Sequence, residues 1–156
     1  MKICTIEDLL SMSTNGSYEL AADIDFNGQV IERLLGDFRG ELDGKGHAIK
    51  NVVLKTEVDY DEQIVALINT TYKAVIKNIV FENVVFDINC GVYIPNVAIL
   101  CGECEYSTLE NITISSNKQN LPMIALSNHS SYSNCVCDGK RGKKLVQFAY
   151  SDNFIE

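Results

Sequence analysis

Four short stretches of this 156-residue chain repeat one pattern, apolar-x-Asn-apolar-x-apolar. They are Ile49-Lys50-Asn51-Val52-Val53-Leu54, Ile76-Lys77-Asn78-Ile79-Val80-Phe81, Leu109-Glu110-Asn111-Ile112-Thr113-Ile114 and Tyr132-Ser133-Asn134-Cys135-Val136-Cys137, with the asparagines 27, 33 and 23 residues apart. A second apolar string precedes three of them: Val65-Ala66-Leu67-Ile68, Val97-Ala98-Ile99-Leu100 and Ile124-Ala125-Leu126. Val146-Gln147-Phe148 offers a fifth, partial unit. Alternation with period two marks strands, and two short strands with a corner between them cannot bury their own inner face. Units stacked about 4.8 Å apart enclose a continuous apolar tube. The repeat therefore predicts an all-β solenoid, a short parallel β-helix occupying residues 1–156 as one domain.

The recurring asparagine suits a corner. Its side chain tolerates left-handed backbone and can hydrogen-bond to the coils above and below. A row of asparagines binding sugar is the functional alternative. Residues 1–16 are expected to cap the first coil. Thr5-Ile6-Glu7-Asp8 ahead of Leu9-Leu10-Ser11-Met12 has an N-cap residue, early acids and an apolar stripe, and so reads as a short capping helix. Coils are expected over 17–137. The segment 138–156, with Phe148, Tyr150, Phe154 and Ile155, is expected to close the far end.

The run Tyr18-Glu19-Leu20-Ala21-Ala22-Asp23-Ile24-Asp25-Phe26, followed by Phe38-Arg39-Gly40-Glu41-Leu42-Asp43-Gly44-Lys45-Gly46-His47-Ala48-Ile49, resembles the opening of bacterial β-helix surface proteins of the GLUG-motif type. Those proteins carry a Y-x-L-x-x-D-I-D strand and then F-x-G-x-L-D-G-x-G-H-x-I. The resemblance covers about residues 3–83 and implies a pectin-lyase-like, right-handed parallel β-helix. In place of the family's "GLFG" strand this chain has Ala66-Leu67-Ile68-Asn69. Gly40, Gly44 and Gly46 are expected to permit tight corners.

With 13 basic and 21 acidic residues the chain carries a formal charge of −8. That sign disfavours non-specific nucleic-acid binding, which draws on Lys and Arg to displace counterions. It is compatible with docking on a basic protein surface. The acids concentrate before residue 63, with a tight cluster at Glu57, Asp59, Asp61 and Glu62. Basic residues gather at Lys140, Arg141, Lys143 and Lys144. Two acids precede any long apolar run, so no secretory signal is read and a cytoplasmic location is expected; a secreted or cell-surface location would require a signal ahead of Met1.

Catalytic constellations are sparse. Asp23 and Asp25 lie two apart, so they share one face of a strand and could hold Ca²⁺ or act as an acid–base pair in a polysaccharide lyase or hydrolase; turn bonding is the simpler role. His47 and His129 lack a partnered nucleophile, and no phosphate-binding loop is present. Cys101 and Cys104 with Cys135 and Cys137 form a possible zinc set, against which Cys135 and Cys137 align with core positions Ile112 and Ile114. No cofactor is expected.

The sequence thus points to a non-enzymatic interaction protein that binds a protein partner through Glu57, Asp59, Asp61 and Glu62 with Asp37 and Glu41. One version is a phage or mobile-element inhibitor that occupies the basic nucleic-acid groove of a host enzyme. The alternative is a carbohydrate-binding or adhesin-type β-helix fragment using Tyr60, Tyr72, Tyr93 and Tyr106. Open coil ends also make a homodimer an expectation.

Overall fold

The computed structural model describes residues 1–155 and is mostly strand, with almost no helix. The ladders between its strands are parallel, and each joins residues one repeat apart. A strand can hydrogen-bond to a neighbour on each side, so a chain that returns to the same place every repeat satisfies its backbone by stacking on itself. In the large, 11-stranded sheet the main path runs Lys2–Ile3, Ser17–Leu20, Glu41–Asp43, Val75–Asn89, Thr108–Ser116, Ser131–Cys137 and Asn153–Ile155. A five-stranded sheet follows the order Val146–Tyr150, Ile124–Asn128, Cys101–Glu105, Ile68–Tyr72 and Leu35–Phe38. Ile64–Val65 and Asn96–Val97 make a separate two-stranded ladder. Between the sheets lies one apolar core, in which Leu54, Leu67, Ile99, Leu100 and Ile112 are fully buried. Among the described residues no helix is long and apolar enough to cross a membrane.

The asparagine corner forms, with a correction to its register. Asn78, Asn111 and Asn134 stack in one ladder, and all three have left-handed backbone, with φ of 54°, 52° and 50°. Each side-chain amide donates to the oxygen below: Asn134 to Asn111 at 2.8 Å, Asn111 to Asn78 at 2.9 Å, and Asn78 to Asp43 at 3.2 Å. Asn51 does not belong to this row. It stands one corner further on, where Asn83 donates to it at 2.9 Å and it donates to Asp25 at 3.0 Å. The strand Val75–Asn89 carries the pattern twice in tandem, sharing Phe81, so Ile49 pairs with Phe81 and Leu54 with Phe86. The third apolar string is also displaced: Ile124 and Leu126 lie beside Cys101 and Glu103 rather than beside Val97–Leu100.

A further corner is built from hydroxyls. The amides of Ala74, Ser107 and Ser130 donate in turn to Ser107 Oγ, Ser130 Oγ and Asp152 Oδ1, at 3.2, 3.1 and 2.8 Å. Ser107 and Ser130 are buried, so each satisfies backbone where water cannot reach.

The predicted helix is present as Ile6–Leu10, capped by Thr5, whose Oγ1 accepts from the Asp8 amide while Asp8 Oδ2 accepts from the Thr5 amide. Its Leu9 is fully buried. The stack nevertheless begins ahead of it, since Lys2 and Ile3 pair with Glu19 and Leu20. At the other end residues 146–155 extend the sheets instead of folding across them. Phe154 stacks on Tyr132 at 5.1 Å, whereas Phe148, Tyr150 and Ile155 remain exposed. Of the three corner glycines only Gly46 has left-handed backbone, φ 84°. Gly44 is needed for close stacking, because a Cβ there would overlap the carbonyl oxygen of Asn78 and the side chain of Ile79.

Candidate functional site

Where the two-stranded ladder meets the five-stranded sheet, Ala66, Ala98 and Ala125 are buried but belong to a cluster separate from the main core, packed against Ile64. Small side chains on the outside of the stacked strands leave a furrow across them. Ile64 lies across that furrow, resting on Gly102. A Cβ on Gly102 would overlap Ile64 Cγ2 and sit 2.9 Å from the carbonyl oxygen of Asn69. Ile64 thereby divides the furrow into hollows that share it as a wall.

The first hollow, about 200 Å³, is lined by Glu32, Arg33, Tyr60, Glu62 and Asn69. The second, about 290 Å³, lies beyond Ile64 and Glu62 and is bounded by Asn96, Glu103, Phe148 and Tyr150. A third, about 440 Å³, shares Gln147 with the second and is flanked by Leu121, Lys140 and Lys144. Spaces of this size take side chains or rings rather than a lone ion. Arg33 is spent on Glu32, 2.8 Å away, so one end of the groove is net acidic and the other basic.

The structure scatters the six acids singled out from sequence. Glu57 ends strand Val53–Glu57, and Asp59, Asp61 and Glu62 follow in the loop after it. There Asp61 Oδ1 accepts from the Ile94 amide at 2.9 Å and Gln63 Nε2 donates to the Glu57 carbonyl at 3.2 Å. Of the four, Glu62 alone lines the first two hollows. Asp37 lies on the five-stranded sheet, bound to Arg39 at 3.1 Å and accepting from Thr70 at 2.9 Å. Glu41 lies on the large sheet, paired with Lys77 at 2.9 Å. Neither joins the loop. Missed from sequence were Glu32, Glu103 and the alanine floor, since only the stacking register places Asn69 beside Gly102 and Ala125.

Asp23 and Asp25 are committed to corners. Asp23 Oδ1 accepts from the Ala48 amide at 3.0 Å and its other oxygen pairs with Lys50 at 3.1 Å; these contacts hold its carboxyl below the usual value. Asp25 Oδ1 accepts from Asn51 and from the Asn27 amide, which lowers it likewise. His47 Nδ1 lies 3.2 Å from Asp23. His129 stacks on Tyr106 at 5.1 Å, and Tyr106 meets Tyr72 edge-on at 5.9 Å, with Arg39 and Lys73 over the Tyr72 ring. Those rings use their faces on one another and on cations of this chain.

The four cysteines of the zinc set fall on two sheets, Cys101 and Cys104 on strand Cys101–Glu105 and Cys135 and Cys137 on strand Ser131–Cys137. Among the described residues no three His, Cys, Asp or Glu side chains gather into a metal-binding group. Cys135 pairs in register with Ile112, and Cys137 with Ile114. Burial pushes these thiols up, Cys135 to about 11 and Cys137 to about 12, which keeps them protonated fillers at neutral pH. Comparison with family models, with curated proteins and with solved structures found no match for the chain.

Proposed function

We propose that this chain is a non-enzymatic binding protein, built as a right-handed parallel β-helix like the GLUG-type proteins it resembles, and that it takes a protein partner in the axial groove. One observation carries the reading: three hollows adjoin on the outside of the stack, joined through Ile64, Glu62 and Gln147, the first two floored by alanine and glycine. A solenoid presents such a furrow rigidly, because every level is hydrogen-bonded to the next, and a preformed surface loses little entropy on binding. The loop Glu57–Glu62 forms the acidic rim and favours a partner with a basic patch. Support for the narrower version, mimicry of a nucleic-acid backbone toward a host enzyme, is reduced by Asp37 and Glu41. Their charges are spent on Arg39 and Lys77.

The test is affinity capture of a partner from a host lysate with the tagged chain, repeated with Asn96→Trp, which places a bulky ring on the exposed groove wall. The reading expects one stoichiometric protein with the unaltered chain and its loss with Asn96→Trp. Capture that is indifferent to Asn96→Trp, or retention on polysaccharide with no protein bound, would overturn it.

A further inference from the structure

The groove is polarised in a way that narrows its occupant. Glu62 and Glu103 line its second hollow, and neither belongs to an ion pair among the described residues. Lys140 and Lys144 line the third hollow, which adjoins the second through Gln147. Between the acids and the lysines the lining carries the side-chain amides of Asn96 and Gln147, each offering both a donor and an acceptor. A nucleic acid would meet the basic end and be repelled by the acidic one. A neutral glycan would leave the charges at both ends without counterparts. A polypeptide alone among common polymers can present a cation at one end, a carboxylate at the other and a backbone of alternating donors and acceptors between.

Length can be set against this. Glu62 lies at the level of strand Ile68–Tyr72 and Lys144 at that of Val146–Tyr150, so three inter-strand spacings of about 4.8 Å give about 14 Å, the reach of about four extended residues at about 3.3 Å each. We propose that the groove holds an extended peptide segment of a partner, about four residues long, with a Lys or Arg against Glu62 and Glu103 and an Asp, Glu or terminal carboxylate against Lys140 and Lys144. Ile64 stands beside Glu62 and walls this stretch off from the first hollow. This rests on the protein-binding reading and adds to it the chemistry of the bound segment.

Fluorescence anisotropy with a labelled tetrapeptide probe, Arg-Ser-Ala-Glu, tests it. The mixed-charge probe should bind saturably. Versions with Gln in place of the Arg, or in place of the Glu, should each bind at least fivefold more weakly. Glu62→Lys and Lys144→Glu should each weaken the parent probe by tenfold or more. Glu7→Gln, a charge change outside the groove, should leave it unaltered, which separates the site from the overall charge. Circular dichroism confirms that each variant is folded. Equal binding of all three probes, no binding at all, or displacement of the probe by an oligosaccharide would overturn the proposal. If Asn96→Trp still abolished capture of a partner while no probe bound, protein binding through the groove would stand and the polarised segment would fall.

Discussion

The side-chain amide of Asn134 donates to Asn111 Oδ1 at 2.8 Å, and Asn111 repeats the contact to Asn78 at 2.9 Å. Each asparagine thus does two things at one corner: it adopts the left-handed backbone that turns the chain, and it ties its level to the next. Asn111 is bonded on both sides, Asn134 on one.

That difference predicts an order of stabilities. Asn111→Ala should lose two side-chain hydrogen bonds, each worth about 1 kcal/mol, and add the left-handed penalty of about 1–2 kcal/mol. A total loss of about 3 kcal/mol is expected in urea unfolding. Asn111→Gly escapes the backbone penalty and should cost less, and Asn134→Ala should cost less than Asn111→Ala. Equal losses at 111 and 134 would sink the ladder as a source of stability.

Gly102→Ala should destabilise the chain by about 1–3 kcal/mol, the usual penalty for overpacking, because the new methyl meets Ile64 and the Asn69 carbonyl. Combining it with Ile64→Ala should recover part of the loss. A double-mutant cycle with no coupling between 64 and 102 would refute the packing of Ile64 across the groove floor.

Acid should loosen the first coils. Hydrogen bonds from the Ala48 amide and Lys50 lower Asp23, and those from Asn51 and the Asn27 amide lower Asp25. Burial raises Asp43, but the Lys45 amide, Asn78 and the Lys45 ammonium outweigh it and leave it lowered too. A carboxyl depressed in the folded chain contributes stability in full above its unfolded value of 3.8 and loses it as pH falls through the folded value. Stability should therefore drop below about pH 4. The Asp23→Asn, Asp25→Asn, Asp43→Asn triple variant should show a shallower drop when urea midpoints are compared across pH.

Thiol titration reads the core directly. In the native protein the exposed Cys4 should react first with an aromatic disulfide reagent and the half-buried Cys90 more slowly. Cys101, Cys104, Cys135 and Cys137 should react only on unfolding. Rapid reaction of any of these four would contradict their burial.

The Glu57–Glu62 loop should respond unevenly to substitution. Asp61 accepts from the Ile94 amide, holding the neighbouring loop in which Val92 and Ile94 are exposed. Asp61→Ala should speed hydrogen exchange at the Ile94 amide by tenfold or more, whereas Glu57→Ala should leave it unchanged. The reverse result would place the clamp elsewhere.

Much of the architecture was legible because it rests on local rules. Period-two alternation marked the strands, a repeat too short to bury its own face required parallel stacking, and asparagine marked left-handed corners. The Thr5 capping box and the register of Cys135 and Cys137 on Ile112 and Ile114 were readable in the same way. Asn51 was misplaced because Ile76–Phe86 contains the motif twice in tandem, and pattern alone cannot say which copy faces it. Ile124-Ala125-Leu126 was misplaced because the repeat ending at Ile124 is 23 residues long against 33 for the one before it, and the loop after Ser116 takes up that shortening without altering the apolar string.

The groove lay beyond the sequence for a related reason. Ala66, Ala98, Gly102 and Ala125 are unremarkable singly, and Glu32, Glu62 and Lys144 are far apart in the chain. By itself the sequence determined that this protein stacks parallel strands around an apolar core and turns them on asparagine. Only the tertiary structure decided which rows face one another. Register is a choice between nearly equal stacking alternatives, settled by many contacts at once, and a surface built across levels exists only after that choice is made.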